Sequence, residues 1–203
     1  MHIERFGLLA WPTLPALFNI TGGKMRKLLF MMLFSAGVCS GTQAFELKSR
    51  DLQAGAPLGN AQVYAGFGCS GGNRSPELSW ADAPAGTKSF AVTVFDPDAP
   101  TGSGWWHWVI YDIPAGATGL PAGIGKQASL ADGSKQARND FGSNDFGGAC
   151  PPPGDKPHQY IFTLHALKTD KLGVPADASP AMIGFMLGAN RLGTAVLRTS
   201  YSR

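Results

Sequence analysis

Short apolar runs separated by turns rich in glycine and proline recur along most of this sequence, and they predict a protein made mainly of β-strands. The strongest runs are rich in β-branched and aromatic residues, as strands usually are, and they cover 90–95, 108–111 and 160–167. Weaker runs cover 45–52, 62–67, 78–80 and 195–201. Residues 115–135 are rich in Gly and Ala and predict mostly loop.

One helix is predicted near the C-terminus. Ser179 can cap its first turn, and Pro180 suits the first helical position. Its apolar face would consist of Met182, Ile183, Met186 and Leu187. Many short strands with a single late helix are typical of a β-sandwich, so the predicted fold class is mostly β with a short helix near the C-terminus.

The first 44 residues differ from the rest and predict an export signal. From Met25, a basic pair precedes an apolar run at 28–38 and then small residues that end at Ala44, which is the pattern of a secretory signal peptide. The apolar run is too short to span a bilayer. The predicted division is an over-extended start at 1–24, a signal peptide at 25–44 and a periplasmic or secreted domain at 45–203, without a transmembrane segment after cleavage.

The predicted domain carries no net charge. Four of the 17 Lys and Arg residues and one of the 14 acidic residues lie in the first 44 positions, so 13 of each remain. This balance does not favour nucleic acid or an anionic membrane as a partner. Two cysteines remain as well, Cys69 and Cys150, and an oxidising compartment would allow a disulfide between them. Two buried free thiols are the alternative that the sequence leaves open.

Residues that could bind a ligand or take part in catalysis lie at the ends of the strongest apolar runs. Asp96 ends the first run, because the proline that follows cannot continue a central strand. His107 stands where the next run begins, between tryptophans at 105, 106 and 108. A connection of this length could bring Asp96 and His107 to one edge of a sheet. We predict that Trp106 or Trp105 lines a pocket there and that Trp108 is half buried.

The third run contributes two more histidines. His158 follows a proline-rich segment and Tyr160 comes two residues later. His165 lies seven residues after His158, so on a regular strand it faces the opposite side, and we predict a structural role for it. Two imidazoles and a phenol can hold a small anion. Asp96 would then have to hold a histidine, be protonated or bind a cationic group of the ligand.

Three other patterns are weaker. Residues 68–72 fit G-x-S-x-G, but a short strand rather than a helix is predicted after them, which argues against a serine hydrolase. The DFG triplets at 140–142 and 145–147 lack every other kinase signature. The histidines and Asp96 are too scattered to favour a metal site, so no metal or cofactor is predicted.

Several of these segments together resemble the phosphatidylethanolamine-binding protein family, and more closely its bacterial Raf-kinase-inhibitor-like branch. The segments are SPELSW at 75–80, DPDAP at 96–100, GWWHW at 104–108, the stretch 144–160 and the C-terminal helix and strand. The resemblance covers 67–203 and implies a β-sandwich with a small anion pocket at one end. Such pockets take phosphate, acetate or phosphoethanolamine-like groups.

Carried over motif by motif, the resemblance implies ligand contacts from Asp96, Asp98, His107, His158 and Tyr160, and a rim formed by Cys150, Pro151 and Pro152. Gln159 stands where the family usually has an arginine, which leaves any role of that arginine in pairing two loops in doubt. The family has no accepted catalytic mechanism, and the protein partners of its eukaryotic members are not expected outside a bacterial cytoplasm.

The sequence therefore predicts an exported protein that binds a small anionic or zwitterionic ligand without catalysis. His107, His158 and Tyr160 would donate hydrogen bonds, and affinity would weaken as the imidazoles lose charge with rising pH. One alternative is an interaction protein that inhibits a protease or kinase through loops 115–135 and 139–157. Another is a hydrolase that uses the Asp96/His107 pair as a base. The sequence leaves the oligomeric state open, a homodimer included.

Overall fold

A computed structural model describes residues 44–203 and confirms the predicted fold class. The predicted over-extended start and all but the last residue of the predicted signal peptide lie outside this range. The strands are β1 Glu46–Lys48, β2 Ala65–Gly66, β3 Cys69–Ser70, β4 Leu78–Ala81, β5 Ser89–Asp96, β6 Trp105–Pro114, β7 Gly119–Leu120, β8 Lys135–Gln136, β9 His158–Leu167 and β10 Arg191–Tyr201. The helix, α1, is Pro180–Asn190.

Two antiparallel sheets form the sandwich. The larger has the strand order β10-β9-β5-β6-β8, and the smaller has the order β1-β4-β7. Their facing side chains share one hydrophobic cluster, to which Leu78 and Trp80 contribute from the smaller sheet and Val92, Trp108 and Phe162 from the larger. The strongest apolar runs of the sequence therefore lie side by side as β5, β6 and β9, at the centre of the larger sheet.

Helix α1 covers part of the other face of the larger sheet. Ile183 and Leu187 are fully buried in a second hydrophobic cluster, with Ala91 and Val109 from the sheet. The Ser179 hydroxyl accepts a hydrogen bond from the Met182 N–H and caps the helix, as the sequence predicts. Met182 itself is half exposed, so only part of the predicted apolar face packs against the sheet.

The region between β1 and β4 departs most from the predicted strands. A single 3-10 turn at Asn60–Gln62 precedes a two-residue hairpin formed by β2 and β3, where one strand over 62–67 is predicted. A disulfide joins Cys69 in this hairpin to Cys150, with 6.0 Å between the two Cα atoms. The hairpin is therefore tied to a segment 81 residues further along the chain.

Candidate functional site

The end of β5 lies beside the beginnings of β6 and β9. These strand ends form one edge of the larger sheet, at the ends of its strands and not along an outer strand. Asp96 closes β5 opposite Trp105, where β6 begins, and Phe95 lies opposite Ile161 on β9. A cavity of about 200 Å³ opens at this edge. Seven of the nine predicted site residues line it, namely Asp96, His107, Cys150, Pro151, Pro152, His158 and Tyr160. The sequence interpretation missed Phe67, Ala99, Pro100, Thr101 and Phe141, and it left Trp105 as an alternative to Trp106.

A β-bulge in β6 aims His107 into the cavity. Val94 pairs with Trp108 and Phe95 pairs with Trp106, so His107 is an extra residue without a partner on β5. Such an insertion shifts the alternation of side chains along the strand. His107 therefore points to the same side of the sheet as Trp108, although the two residues are neighbours in sequence. Trp108 lies in the cluster between the two sheets.

The same bulge makes the prediction for Trp106 wrong. Its ring lies 4.6 Å from that of Phe95 and packs against the cluster under α1, on the opposite face of the sheet. Trp105 lines the cavity instead. The prediction for Trp108 also needs correction, because this side chain is fully buried and its Nε1–H donates to the Gln136 side chain at 2.7 Å.

The segment between β8 and β9 satisfies the backbone groups that the bulge leaves free. The Trp106 N–H donates to the Asp140 carboxylate at 2.7 Å, and the Gly147 N–H donates to the His107 carbonyl at 2.9 Å. The buried Asn139 amide donates to that same carbonyl and to the Asp145 carbonyl. The repeated Asn-Asp-Phe-Gly sequence therefore holds the bulge in place.

Asp96 and His158 form a buried pair that joins the end of β5 to the start of β9. The His158 Nδ1–H donates to Asp96 Oδ2 at 2.7 Å, and the Asp98 N–H donates to Asp96 Oδ1 at 2.8 Å. Both side chains are almost completely buried. The histidine that Asp96 holds is thus His158, and the Asp96/His107 pair of the hydrolase alternative does not form.

His107 is oriented by a different acceptor. Its Nδ1–H donates to the Gly147 carbonyl at 2.8 Å, and the rings of Phe141 and Tyr160 pack edge-on against it. Burial lowers the pKa of His107 to about 4, against the raising effect of the Gly147 carbonyl. The imidazole is therefore neutral at pH 7, and the lone pair of Nε2 remains for the cavity. The prediction that His107 donates as a charged imidazole near neutral pH therefore needs correction.

Two buried donors at the cavity have no hydrogen-bond partner among residues 44–203. They are the Tyr160 hydroxyl and the Trp105 Nε1–H. Burial raises the pKa of Tyr160, so its phenol stays protonated. Buried polar groups are almost always paired, so each exception calls for an explanation. Because both side chains line the cavity, a ligand with acceptor atoms would satisfy them.

Asp98 lies beside the cavity without lining it. Its carboxylate accepts from the Gln159 N–H at 2.9 Å and contacts the Lys156 amine at 3.0 Å. The Gln159 hydrogen bond is the main reason why the pKa of Asp98 is lowered. Because the donor is a backbone N–H, the loops are joined here without the arginine that the family usually has at this position. Asp98 therefore joins the loop after β5 to the start of β9 and does not line the cavity.

The remaining sequence patterns lie apart from the cavity or carry no catalytic geometry. His165 faces away from it, as predicted, and its Nε2 lies 3.2 Å from the Thr93 hydroxyl. Ser70 of the G-x-S-x-G match lies in β3, and no helix follows before β4. In residues 44–203 no cluster of three His, Cys, Asp or Glu side chains could hold a metal ion. No helix in the same range is long and apolar enough to cross a membrane.

A family model described as phosphatidylethanolamine-binding protein matches residues 48–202. The chain belongs to the phosphatidylethanolamine-binding protein family. It is 53% identical over 160 residues to the UPF0098 protein YbcL of Escherichia coli, covering 78% of this chain and 87% of that one. It is 48% identical over 158 residues to UPF0098 protein YbhB of the same organism, covering 77% and 99%.

Solved structures of phosphatidylethanolamine-binding proteins share the fold. The crystal structure of E. coli YbcL, described as a member of the mammalian family, superposes with a TM-score of 0.75 at 52% identity and covers 78% of this chain and 98% of that one. The homologue CT736 from Chlamydia trachomatis superposes with a TM-score of 0.66 at 26% identity, covering 79% and 98%.

The geometry of this family member predicts unequal roles for its two neighbouring carboxylates. Asp96→Ala would leave the His158 Nδ1–H and the Asp98 N–H buried without acceptors, so we expect a loss of roughly 2–3 kcal/mol of unfolding free energy. Asp98→Ala is the matched control and should cost less than about 1 kcal/mol, because its contacts are near the surface. Urea unfolding measures both. Equal losses would contradict a buried role for Asp96.

Two buried histidines predict a loss of stability in mild acid. Burial lowers the pKa of both His107 and His165 from 6.5 to about 4, so the unfolded chain binds more protons between these values. Unfolding free energy should therefore fall as the pH drops from 6.5 to about 4, by about 3 kcal/mol for each histidine.

Urea unfolding between these two pH values tests the assignment. His165→Gln removes one titrating group far from the cavity and should abolish about half of the loss. A loss that is unchanged in this variant would show that other groups cause the acid sensitivity.

Proposed function

We propose that this protein binds a small anionic or zwitterionic head group in the cavity at the end of its sandwich and does not chemically convert it. The observation that carries this proposal is a pair of buried donors, the Tyr160 hydroxyl and the Trp105 Nε1–H, for which the described part of the chain offers no partner. A phosphate-type or carboxylate group offers several acceptor oxygens and could accept from both donors.

The size of the cavity supports a ligand no larger than a head group. Its volume of about 200 Å³ is below the roughly 300–1,000 Å³ of pockets that take drug-sized ligands. Its polar groups lie at the strand ends, and Pro100, Pro151 and Pro152 contribute apolar surface around them. A compact charged group attached to a short substituent fits this distribution.

An anion in this cavity must be accommodated next to Asp96. Both oxygens of Asp96 already accept hydrogen bonds from His158 and Asp98, which spread its charge. A bound anion would also favour the protonated form of His107, since a nearby negative charge raises an imidazole pKa. Protonated His107 would then donate from Nε2, so that ligand binding is coupled to the uptake of a proton.

Hydrolysis is the second candidate, because a buried Asp–His pair resembles the base of many hydrolases. Two side chains at the cavity that carry nucleophilic groups are engaged elsewhere. Cys150 is in the disulfide, and the Thr101 hydroxyl donates to the Gly104 carbonyl at 2.6 Å. A hydrolase would therefore depend on a water molecule activated by His158. Release of product from p-nitrophenyl phosphate, abolished by His158→Ala, would favour this candidate over simple binding.

The predicted export signal supports a ligand found outside the cytoplasm. Residues 25–44 have the features of a signal peptide, and the disulfide between Cys69 and Cys150 is of the kind that persists in oxidising compartments. We accordingly propose that the protein works in the periplasm or is secreted.

Tyr160→Phe gives a direct test of the binding proposal. The change removes a hydroxyl that no other group within 44–203 hydrogen-bonds, so the melting temperature should stay the same or rise. Affinity for phosphoethanolamine should fall about tenfold or more, because a hydrogen bond to a charged group is lost. Tyr111→Phe, on the opposite face of the sheet, is the matched control. Calorimetric titration that detects no binding to the unaltered protein would refute the proposal.

Coupling to proton uptake predicts how affinity depends on pH. Methyl sulfate keeps one charge across the neutral range, so any change in its affinity comes from the protein. His107 titrates near pH 4 without ligand and at a higher pH in the complex. Between these two values affinity should weaken by up to about tenfold for each unit of rising pH.

Calorimetry in buffers with different ionisation enthalpies measures the number of protons taken up. We expect up to one per ligand for the unaltered protein and none for His107→Gln, in which affinity should no longer depend on pH. The nearby groups Asp96 and His158 are unchanged in that variant, as is Asp155, whose carboxylate lies 3.4 Å from His158 Nε2. A pH dependence that survives in His107→Gln would assign the proton to one of them.

A further inference from the structure

Phe67 occupies an unusual position at the mouth of the cavity. Its side chain is 68% exposed and lines the opening. It is the first residue of the two-residue turn between β2 and β3, where Gly66 pairs with Cys69. Its φ of 53° and the φ of 80° at Gly68 are both left-handed. Turns of this type favour Asn, Asp or Gly, and an aromatic residue is strained there because its Cβ crowds the backbone.

The strained turn is fastened to the rim of the cavity. Cys69 follows the turn directly and is bonded to Cys150, which lines the cavity. Arg203 adds two hydrogen bonds, from Nη2 to the Phe67 carbonyl at 3.3 Å and from Nε to the Pro151 carbonyl at 2.6 Å. The turn and the rim are therefore held together by a covalent bond and by one shared side chain.

An aromatic wall continues from Phe67 to the polar floor of the cavity. The rings of Phe67 and Phe141 have centroids 5.7 Å apart. Phe141 packs edge-on against Trp105 at 5.3 Å and against His107 at 5.4 Å. A ligand whose charged group reaches the donors of the floor would place any attached group along this wall. Strain at an exposed aromatic residue is typical of a functional position.

We propose that Phe67 is a specificity-determining residue whose ring contacts an apolar group carried by the ligand next to its anionic head group. The Cys69–Cys150 bond holds the ring in position for this contact. The ligand class is therefore a phosphate ester whose anionic group carries an aryl or alkyl substituent. This inference rests on the proposed function of the cavity.

Calorimetric titrations with methyl phosphate and phenyl phosphate test the inference. The unaltered protein should prefer phenyl phosphate by about two- to tenfold, the range expected for one aromatic contact. Phe67→Ala should bind both with nearly equal affinity, and its affinity for methyl phosphate should change less than about twofold. Phe185→Ala, which removes an exposed phenylalanine from α1, is the matched control and should keep the preference.

Two further variants separate a functional role from a structural one. Phe67→Asn suits the left-handed turn, so its melting temperature should equal or exceed that of the unaltered protein, while the preference for phenyl phosphate is lost. The double variant Cys69→Ala/Cys150→Ala should also lose most of the preference. An unchanged preference in the double variant would overturn the role of the disulfide in positioning the ring.

A vesicle-binding experiment shows whether the apolar group on the ligand belongs to a lipid or to a soluble molecule. Co-sedimentation with phosphatidylethanolamine vesicles that is lost in Phe67→Ala would assign the group to a lipid. Selectivity for phenyl phosphate without vesicle binding would assign it to a soluble ester, and either result supports the inference.

The results also distinguish the two proposals. Failure of the unaltered protein to bind either phosphate refutes the proposed function, and the inference fails with it. Binding of both without a preference, or a preference that survives in Phe67→Ala, overturns the inference alone.

Discussion

The hydrogen bond between His158 and Asp96 is the interaction on which the rest of the site depends. It joins the end of β5 to the start of β9 in a setting that is almost free of water. Asp96 also accepts from the Asp98 N–H, and Asp98 in turn accepts from the Gln159 N–H. Each acceptor fixes the next donor, so two proline-bounded segments are held together before any ligand arrives. A buried carboxylate is tolerated only with such partners.

This network divides the polar groups of the cavity into two classes. Groups that build the frame are satisfied within the protein, as Asp96, Asn139 and Gln136 are. The Tyr160 hydroxyl and the Trp105 Nε1–H find no partner in the range that the structure describes. Desolvating a donor without an acceptor costs free energy, so these two groups lower the stability of the empty protein.

Sequence alone predicted what depends on local pattern. The apolar runs at 90–95 and 160–167 form most of β5 and β9. Asp96, His107, His158 and Tyr160, which the sequence motifs singled out, line one cavity. Trp105 and Trp106 could not be told apart, because a bulge comes from pairing with other strands and leaves no mark in the alternation of residues. The neutral state of His107 follows from burial, which periodicity does not measure. Phe67 and Phe141 meet only through long-range folding.

Hydrogen bonds position the side chains at the floor of the cavity, and a disulfide positions those at its mouth. The difference arises because the floor is buried and the mouth is exposed to solvent. Its floor is dry, so hydrogen bonds such as that between His158 and Asp96 can position side chains there. Its mouth is exposed to solvent. The Phe67 ring there is 68% exposed, so it gains too little free energy from burial for packing alone to hold it in a strained turn. A covalent bond from Cys69 to Cys150 does not weaken with exposure to water. Such a bond persists in an oxidising compartment, so the shape of the mouth depends on the surroundings in which the protein works.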